Sequence, residues 1–383
     1  MTTKRVKFLL LTVLVAASLF LLLERNFLPG LSSNDSDYER YTLLAKVANL
    51  IQNEYVEVPN PSKTMEGAFK GLVDSLDTLS TYLDKESVIK YRQRKEQDIK
   101  DTGIILYKKF GLFPQVVGIV ENSPAEKMGI KIGDYISAMD NRSTLMMSLI
   151  EANLHLKTKN EGPIDLKVLK RYAAEDATVL KVERKQLFKE RFSYSPAKGT
   201  SGILKIHKLY PDCVSRIKEE ALPRLKQQKK PLILDLRNCY EGEIEEAQKL
   251  INLFLTSSKI GYFEKKGKAR EILSCTEEAE LKKLPLIIWT NQATIGPAEA
   301  VASVLKEFRK AKIIGLQTGG FVAKQQFFTF EDGSGLLLTS GVFTLGSGKK
   351  LWEKGVKPDI KIKKETQSQP EYLKKTLNIL SKI

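Results

Sequence analysis

The sequence predicts a mixed α/β fold, in which a core on a largely parallel sheet follows a small β domain and an N-terminal helical segment. Two observations carry that prediction. Beyond residue 190, the apolar strand candidates "GTSGILKIHKLY", "KKPLILDLRN" and "KLPLIIWT" alternate with the helix-like "DCVSRIKEEALPRLKQQ" and "EIEEAQKLINLFL", the alternation of βαβ units. Between about 101 and 171 the texture is one of short β-like runs, with "TGIILYKKFG" and "FPQVVGIV" reading as paired strands.

Taken in order, the chain opens on the basic "MTTKRVK" and an uncharged run, "FLLLTVLVAASLFLLL" at 8–23. The length lies between a signal h-region and a short span. No small-x-small cleavage site closes it, so residues 1–30 read as a signal-anchor, a transmembrane helix that places the bulk of the chain outside the cytoplasm, in the periplasm or its equivalent. Residues 38–100 read as a helical domain, with Leu43, Val47, Leu50 and Ile51 at helical spacing. Nothing there carries chemistry. In 101–172, "NSPAEKMGIKIGDYISAMD" reads as turn, helical turn and strand, and "PIDLKVLKR" as an edge strand. The α/β core occupies 190–365, and 366–383 reads as a C-terminal tail.

The 383 residues are 42% hydrophobic and 28% charged, the balance of a globular protein with room for several cores. The net charge of +16 is spread through "KKFG", "KQQKK", "EKKGKAR" and "KIKK". A solvated basic surface, suited to anionic lipid, explains it better than nucleic acid, for which no motif is present. Cys213, Cys239 and Cys275 lack metal-ligand spacing, and with His155 and His207 the only histidines, neither a zinc site nor a Ser-His-Asp triad is expected. No cofactor is implied. The stretch "TNQATIGPAEAVAS" has the form of a strand–turn–helix perch for a nucleophile, yet Ile295, Gly296 and Pro297 at its tip offer none.

Several motifs resemble one family. "SPAEKMGIKIGDYISAMD" is similar to the signature of a PDZ domain. "PLILDLRNCYEGEIEEA" resembles the D-L-R-N-N-P-G-G-L-L-x-E-A segment of C-terminal processing (tail-specific) serine peptidases. "LIQNEYV", "GLVDSLDTLSTYLD", "IIGLQTGGFVAKQQFF" and the late "GVKPDI" follow the same family's order across about 38–363. The resemblance implies a ClpP/crotonase-like peptidase core and a PDZ-like domain. It also implies a mechanism in which a buried, neutral lysine takes the proton of a serine.

Position by position, that machinery is altered. In the nucleophile motif N-x-G-S-A-S-A-S-E, matched to 291–299, Asn291 and Glu299 are kept, Thr294 takes the first serine, and the catalytic serine becomes Gly296. In T-F-G-K-G-x-V-Q, matched to 318–325, Thr318, Gly320 and the orienting glutamine, Gln325, are kept, and the lysine becomes Phe321. The first oxyanion glycine becomes Glu241, whose carboxylate would oppose a developing negative charge, and Gly242 is kept. Substitutes are poor. Thr294 points elsewhere on its turn, Lys324 is on the opposite strand face from Phe321, and Cys239 beside Glu241 is blunted. Phe321 is expected to fill the volume that serine and lysine left, and Pro297 to stiffen the helix start.

The resemblance therefore implies a homologue that lacks peptidase activity and binds polypeptide through its PDZ-like domain. The loop Asp101-Thr102-Gly103-Ile104 would meet a peptide carboxylate, Ile104 and Leu106 would face the pocket, and Leu149 and Leu154 would wall the groove. Partners would be polypeptide C-termini or an envelope protein, the membrane through the N-terminal helix, and a second copy or an active paralogue. The competing readings are an active envelope serine-type endopeptidase with a shifted site and a non-catalytic envelope scaffold.

Overall fold

The structure, a computed structural model, describes residues 35–94, 99–109, 111–159, 162–170, 173–188, 190–363 and 367–381. The run at 8–23 lies outside them, and no helix among the described residues is long and apolar enough to cross a membrane. The chain divides into two compact units, 1–65 and 66–383. Within the first, α1 (Asp35–Glu54) holds Leu43, Val47 and Leu50 on its surface. Helix α2 (Pro61–Asp74) begins in the first unit and ends in the second.

In the second unit, β1 (Thr81–Leu83) and α3 (Lys85–Gln93) follow. Asp84 caps α3, its carboxylate accepting from the Ser87 N–H. The helical reading of 38–100 missed β1, three buried residues that pair antiparallel with a strand more than 250 positions later. A stretch so short carries no alternation to read.

The small β domain is a five-strand path, β3 (Ile104–Tyr107), β4 (Gln115–Ile119), β5 (Tyr135–Met139), β8 (Ile164–Lys170) and β9 (Ala173–Val182). Helices α4 (Pro124–Lys127) and α5 (Leu149–His155) join it, with β6 (Arg142–Ser143) beside β5. Strand β2 (Lys100–Asp101) pairs with β7 (Lys157–Thr158) as a separate ribbon. "PIDLKVLKR" is not an edge strand: β8 lies between β5 and β9. Its alternation reflects one buried and one exposed sheet face, which an interior antiparallel strand shares with an edge strand.

The core sheet runs β10 (Phe192–Ser195), β11 (Ile203–Ile206), β12 (Leu232–Asp235), β15 (Leu286–Thr290), β16 (Lys312–Gly315), β19 (Ile360–Lys361). All neighbours are parallel except β10 and β11. Helices α6 (Cys213–Glu220) and α7 (Leu222–Leu225), split before Pro223, connect β11 to β12. Helix α8 (Ile244–Asn252) follows β12, and α9 (Pro297–Arg309) follows β15. A second, antiparallel sheet joins β1, β18 (Gly335–Leu345), β13 (Ser257–Glu264) and β14 (Glu271–Cys275), with β17 (Ala323–Thr329) on β18. The sheets are mixed overall and the core sheet is largely parallel.

The segment 366–383 is not a free tail. Among its described residues, α10 (Gln369–Leu380) buries Tyr372 and Thr376 completely. Tyr372 donates to the Thr290 carbonyl at 2.8 Å, and Trp289 of β15 donates to the Thr376 hydroxyl at 2.9 Å. Two buried hydrogen bonds and an aromatic pair at 5.3 Å seat the helix on the sheet. Tyr372→Ala is expected to cost about 3–5 kcal/mol in urea unfolding, and Tyr372→Phe about 1 kcal/mol. A cost below about 1 kcal/mol for the alanine variant would show that this docking contributes little.

Candidate functional site

Three segments meet at the C-terminal ends of adjacent parallel strands, where open α/β sheets place their sites. They are the loop after β12, the turn between β15 and α9, and the segment 318–321 after β16. Each is held by a carboxylate or an amide.

Asp235, the last residue of β12, is fully buried and accepts from Arg237 Nε at 2.8 Å and Nη2 at 2.6 Å. The guanidinium lies against the rings of Trp289 and Tyr372, 4.9 and 4.4 Å from their centroids. Asn238 and Asn291 then exchange hydrogen bonds: the Asn238 N–H donates to Asn291 Oδ1 at 3.1 Å, and Asn291 Nδ2 donates to Asn238 Oδ1 at 2.8 Å. This pair joins the loop to the turn.

Gly296 sits at φ +61°, ψ −120° as the N-cap of α9, the first central conformation of a type II′ turn. A Cβ built there would have only the Phe321 carbonyl oxygen within reach, at 3.7 Å. Space for a serine therefore remains, but its backbone would be strained. Gly296→Ser is expected to lower stability by about 1–2 kcal/mol and to give no cleavage by itself, measured by urea unfolding and mass spectrometry of an unfolded polypeptide. Cleavage by that single variant would show that a working base is present.

Glu299, three residues on, is wholly buried with four donors. The Gly296 N–H reaches Oε2 at 2.9 Å, the Phe321 N–H reaches Oε2 at 2.8 Å, the Gly320 N–H reaches Oε1 at 2.6 Å, and the Thr318 hydroxyl also donates to Oε1. Burial pushes the carboxyl up, and the four donors oppose that shift. Glu299 is thus the clamp between the turn and 318–321, a role its retention in the motif did not reveal.

Phe321 does not fill space beside Gly296. Its ring lies over Gly319 and meets Tyr107 of β3 at 5.4 Å and Trp352 at 6.3 Å, while its backbone faces the turn. The clamp fixes that backbone, so the side chain points toward the PDZ-like domain. Gln325 is exposed, and its Nε2 donates to the Leu79 carbonyl at 2.7 Å. In this position it orients nothing in the turn. Glu241 is turned into ion pairs with Lys157 and, at 2.8 Å, Lys208. Its charge is neutralised there rather than left to oppose an oxyanion. Burial and then the Lys157 charge bring Lys208 down to about 8.

The substitutes are occupied too. Thr294 Oγ1 donates to the Leu236 carbonyl at 2.9 Å and accepts from the Asn291 N–H at 3.0 Å. Lys324 pairs with Glu271 and lies 5.1 Å over the Phe263 ring. Cys239 is fully buried, and burial, more than any nearby charge, pushes its thiol far up. Pro297 stands at the first turn of α9.

The β3–β4 face of the small domain closes over this turn. Ile105, Val117 and Val120 form one apolar cluster with Ala293, joined by Tyr240 and Ile295. A Cβ at Gly118 would collide with Ala293 and the Asn238 amide, so only glycine permits the approach. Asn238 Nδ2 donates to the Ile119 carbonyl at 2.9 Å.

The peptide-groove residues are placed differently from the sequence expectation. Ile104, Leu106 and Leu149 are buried within the domain's own core, and Leu154 packs instead with Leu83, Val88, Tyr91 and Leu337. A helix this short has two buried faces, which spacing alone could not tell apart. Lys108 donates to the Thr144 and Leu145 carbonyls at 2.8 and 2.7 Å and to that of Met147. Thr102 and Gly103 are also buried.

A cleft of about 460 Å³ nearby holds His207, whose Nε2 lies 3.2 Å from Ser193 Oγ and whose ring stacks on Phe188. Burial first, then the Lys205 charge, bring this imidazole down to about 4, too weak for a general base at neutral pH. Because the folded value lies below the unfolded 6.5, the contribution to stability is complete above 6.5 and is lost as pH falls toward 4. His207→Phe is expected to flatten the pH–stability curve across that window, and an unchanged curve would remove His207 from the account. No cluster of metal-ligating side chains occurs among the described residues.

Comparison with known proteins agrees with this architecture. Residues 201–362 match peptidase family S41, and 111–169 match the PDZ domain. The chain's core is thus a peptidase family S41 domain. The chain is 28% identical over 350 residues to a probable CtpA-like serine protease of Staphylococcus aureus (strain MRSA252), covering 91% of this chain and 68% of that protein. It is also 28% identical over 369 residues to the carboxy-terminal processing protease CtpA of Bacillus subtilis (strain 168), covering 95% and 78%. The solved photosystem II D1 C-terminal processing protease shares its fold, with a TM-score of 0.72 at 18% identity over 94% of this chain and 96% of that one.

Proposed function

We propose that this chain binds polypeptide through its PDZ-like domain without cleaving it, on the extracytoplasmic side of a membrane to which residues 8–23 hold it. The observation that carries the first part is the turn at Gly296. The residue on the nucleophile's perch has no side chain, the neighbouring position carries Phe321 with its ring directed away, the Thr294 hydroxyl is hydrogen-bonded, Lys324 is ion-paired, and burial holds the Cys239 thiol protonated. A serine peptidase needs a nucleophile and a base within hydrogen-bond reach, and these residues supply neither.

The test is incubation of the purified chain with an unfolded polypeptide, with new termini read by mass spectrometry. No fragments above the buffer control are expected. Cleavage that disappears in Cys239→Ala, or in Thr294→Ala with Lys324→Ala, would overturn the reading in favour of a shifted site.

A further inference from the structure

The lysines behind the net charge of +16 are scattered along the sequence, and the core sheet gathers a group of them. Strands β12, β15, β16 and β19 are parallel neighbours, so the loops that enter them all open on one edge of the sheet. The turn at Gly296 leaves from the other edge. Lys229 and Lys230 stand in the loop entering β12, Lys283 in that entering β15, Lys310 and Lys312 where the chain enters β16, and Lys357 just before β19. All six are exposed. At about 4.8 Å between strands, the row crosses about 15 Å.

The loops are fixed against one another. Arg309 Nη2 donates to the Leu284 carbonyl at 3.1 Å and Lys306 Nζ to the Lys357 carbonyl at 2.7 Å, so the end of α9 ties the entries of β15 and β19 together. Carboxylates on the same loops are already taken by other cations. Glu278 pairs with Lys282 at 3.1 Å, Glu280 with Lys226 and with Lys218 at 3.6 Å, Glu277 with Lys218 at 3.9 Å, and Asp359 with Lys306 at 3.2 Å. The six lysines have no ion-pair partner among the described residues. Lysines present compact point charges rather than the planar forks and stacking faces by which nucleic acids are held. A row of such charges suits a diffuse anionic surface.

We propose that this edge of the core is a docking face for an anionic phospholipid surface, against which the six lysines lie. The inference rests on the reading above that residues 8–23 hold the chain to a membrane, which keeps the face within reach of headgroups at high effective concentration. It adds an orientation. The turn at Gly296 and the small domain that closes over it, at the opposite edge of the sheet, point away from the bilayer.

The test inserts the full chain, through its own N-terminal run, into nanodiscs of phosphatidylcholine alone or with about one-third phosphatidylglycerol. Lysines are acetylated in a short pulse, and the rate at each site is read by mass spectrometry. In low salt the six are expected to react about threefold more slowly in the anionic discs. Lys127 of the small domain and Lys266 and Lys268 of the β13–β14 hairpin, also exposed, should react at the same rate in both. At about 1 M salt, where the Debye length is about 3 Å, the difference should vanish. Lys229→Glu with Lys230→Glu is expected to remove at least about half of the protection at Lys283, because the charges act as one face. Equal rates in the two discs, equal slowing at the three control lysines, protection that persists in high salt, or protection at Lys283 unchanged in the double variant overturns the inference and leaves the anchoring reading intact. A chain that stays with neither kind of disc overturns the anchoring reading and this inference with it.

Discussion

Glu299→Ala is expected to destabilise the protein by about 4 kcal/mol or more, since it leaves four buried donors without an acceptor at about 1–3 kcal/mol each. The donors come from two segments: Gly296 on the turn, and Thr318, Gly320 and Phe321 beyond β16. Water entering the vacated volume offsets part of the sum, which is why the lower figure is given. Glu299→Gln keeps one acceptor but turns an NH₂ group toward a pair of donors, so an intermediate cost of about 2–3 kcal/mol is expected. Urea unfolding gives the energies, and hydrogen exchange at Gly320 and Phe321 should accelerate ahead of global unfolding. A cost below about 1 kcal/mol for the alanine variant would mean that the two segments are held by something other than this carboxylate.

The second large effect is expected at the Asp235–Arg237 pair. Removing either partner alone, as Asp235→Ala or Arg237→Met, leaves a charge in a site that is at most 5% exposed and should cost about 3–5 kcal/mol. The double variant Asp235→Leu with Arg237→Met leaves no such charge. It is expected to cost less than either single change, since well-packed apolar residues often replace a buried pair at little loss. A double variant that costs as much as the two singles together would show that the residues act independently. The pair also has an acid signature. Desolvation raises the Asp235 carboxyl, but the Arg237 charge and hydrogen bonds outweigh it and leave it below its usual 3.8. Its contribution is therefore complete above 3.8 and is lost as pH falls below that value.

These two clusters show which parts of the site could be read in advance. Asp235, Arg237, Asn291 and Glu299 stand in motifs whose order along the chain identifies the fold. Their spacing says nothing of what they touch: Glu299 serves a segment about 20 residues away, and Arg237 serves a helix more than 130 residues away. The direction of the Phe321 ring was equally hidden. Its backbone is fixed by Glu299 and its ring by Tyr107 of a different domain.

The sequence by itself determined the α/β core, the small β domain before it and the family, because these depend on the alternation of apolar residues and on short motifs in a set order. The reading of Gly296 and Phe321 as standing where the family's motifs have serine and lysine belongs to the resemblance, as a matter of identity at a position. Tertiary structure alone decided that residues 81–83 join a distant sheet, that the last helix docks, and that Glu299 ties the turn at Gly296 to the segment beyond β16. Each of those rests on a contact between residues far apart in the chain. Such contacts are set by packing and charge pairing in the folded protein, and local patterns do not encode them.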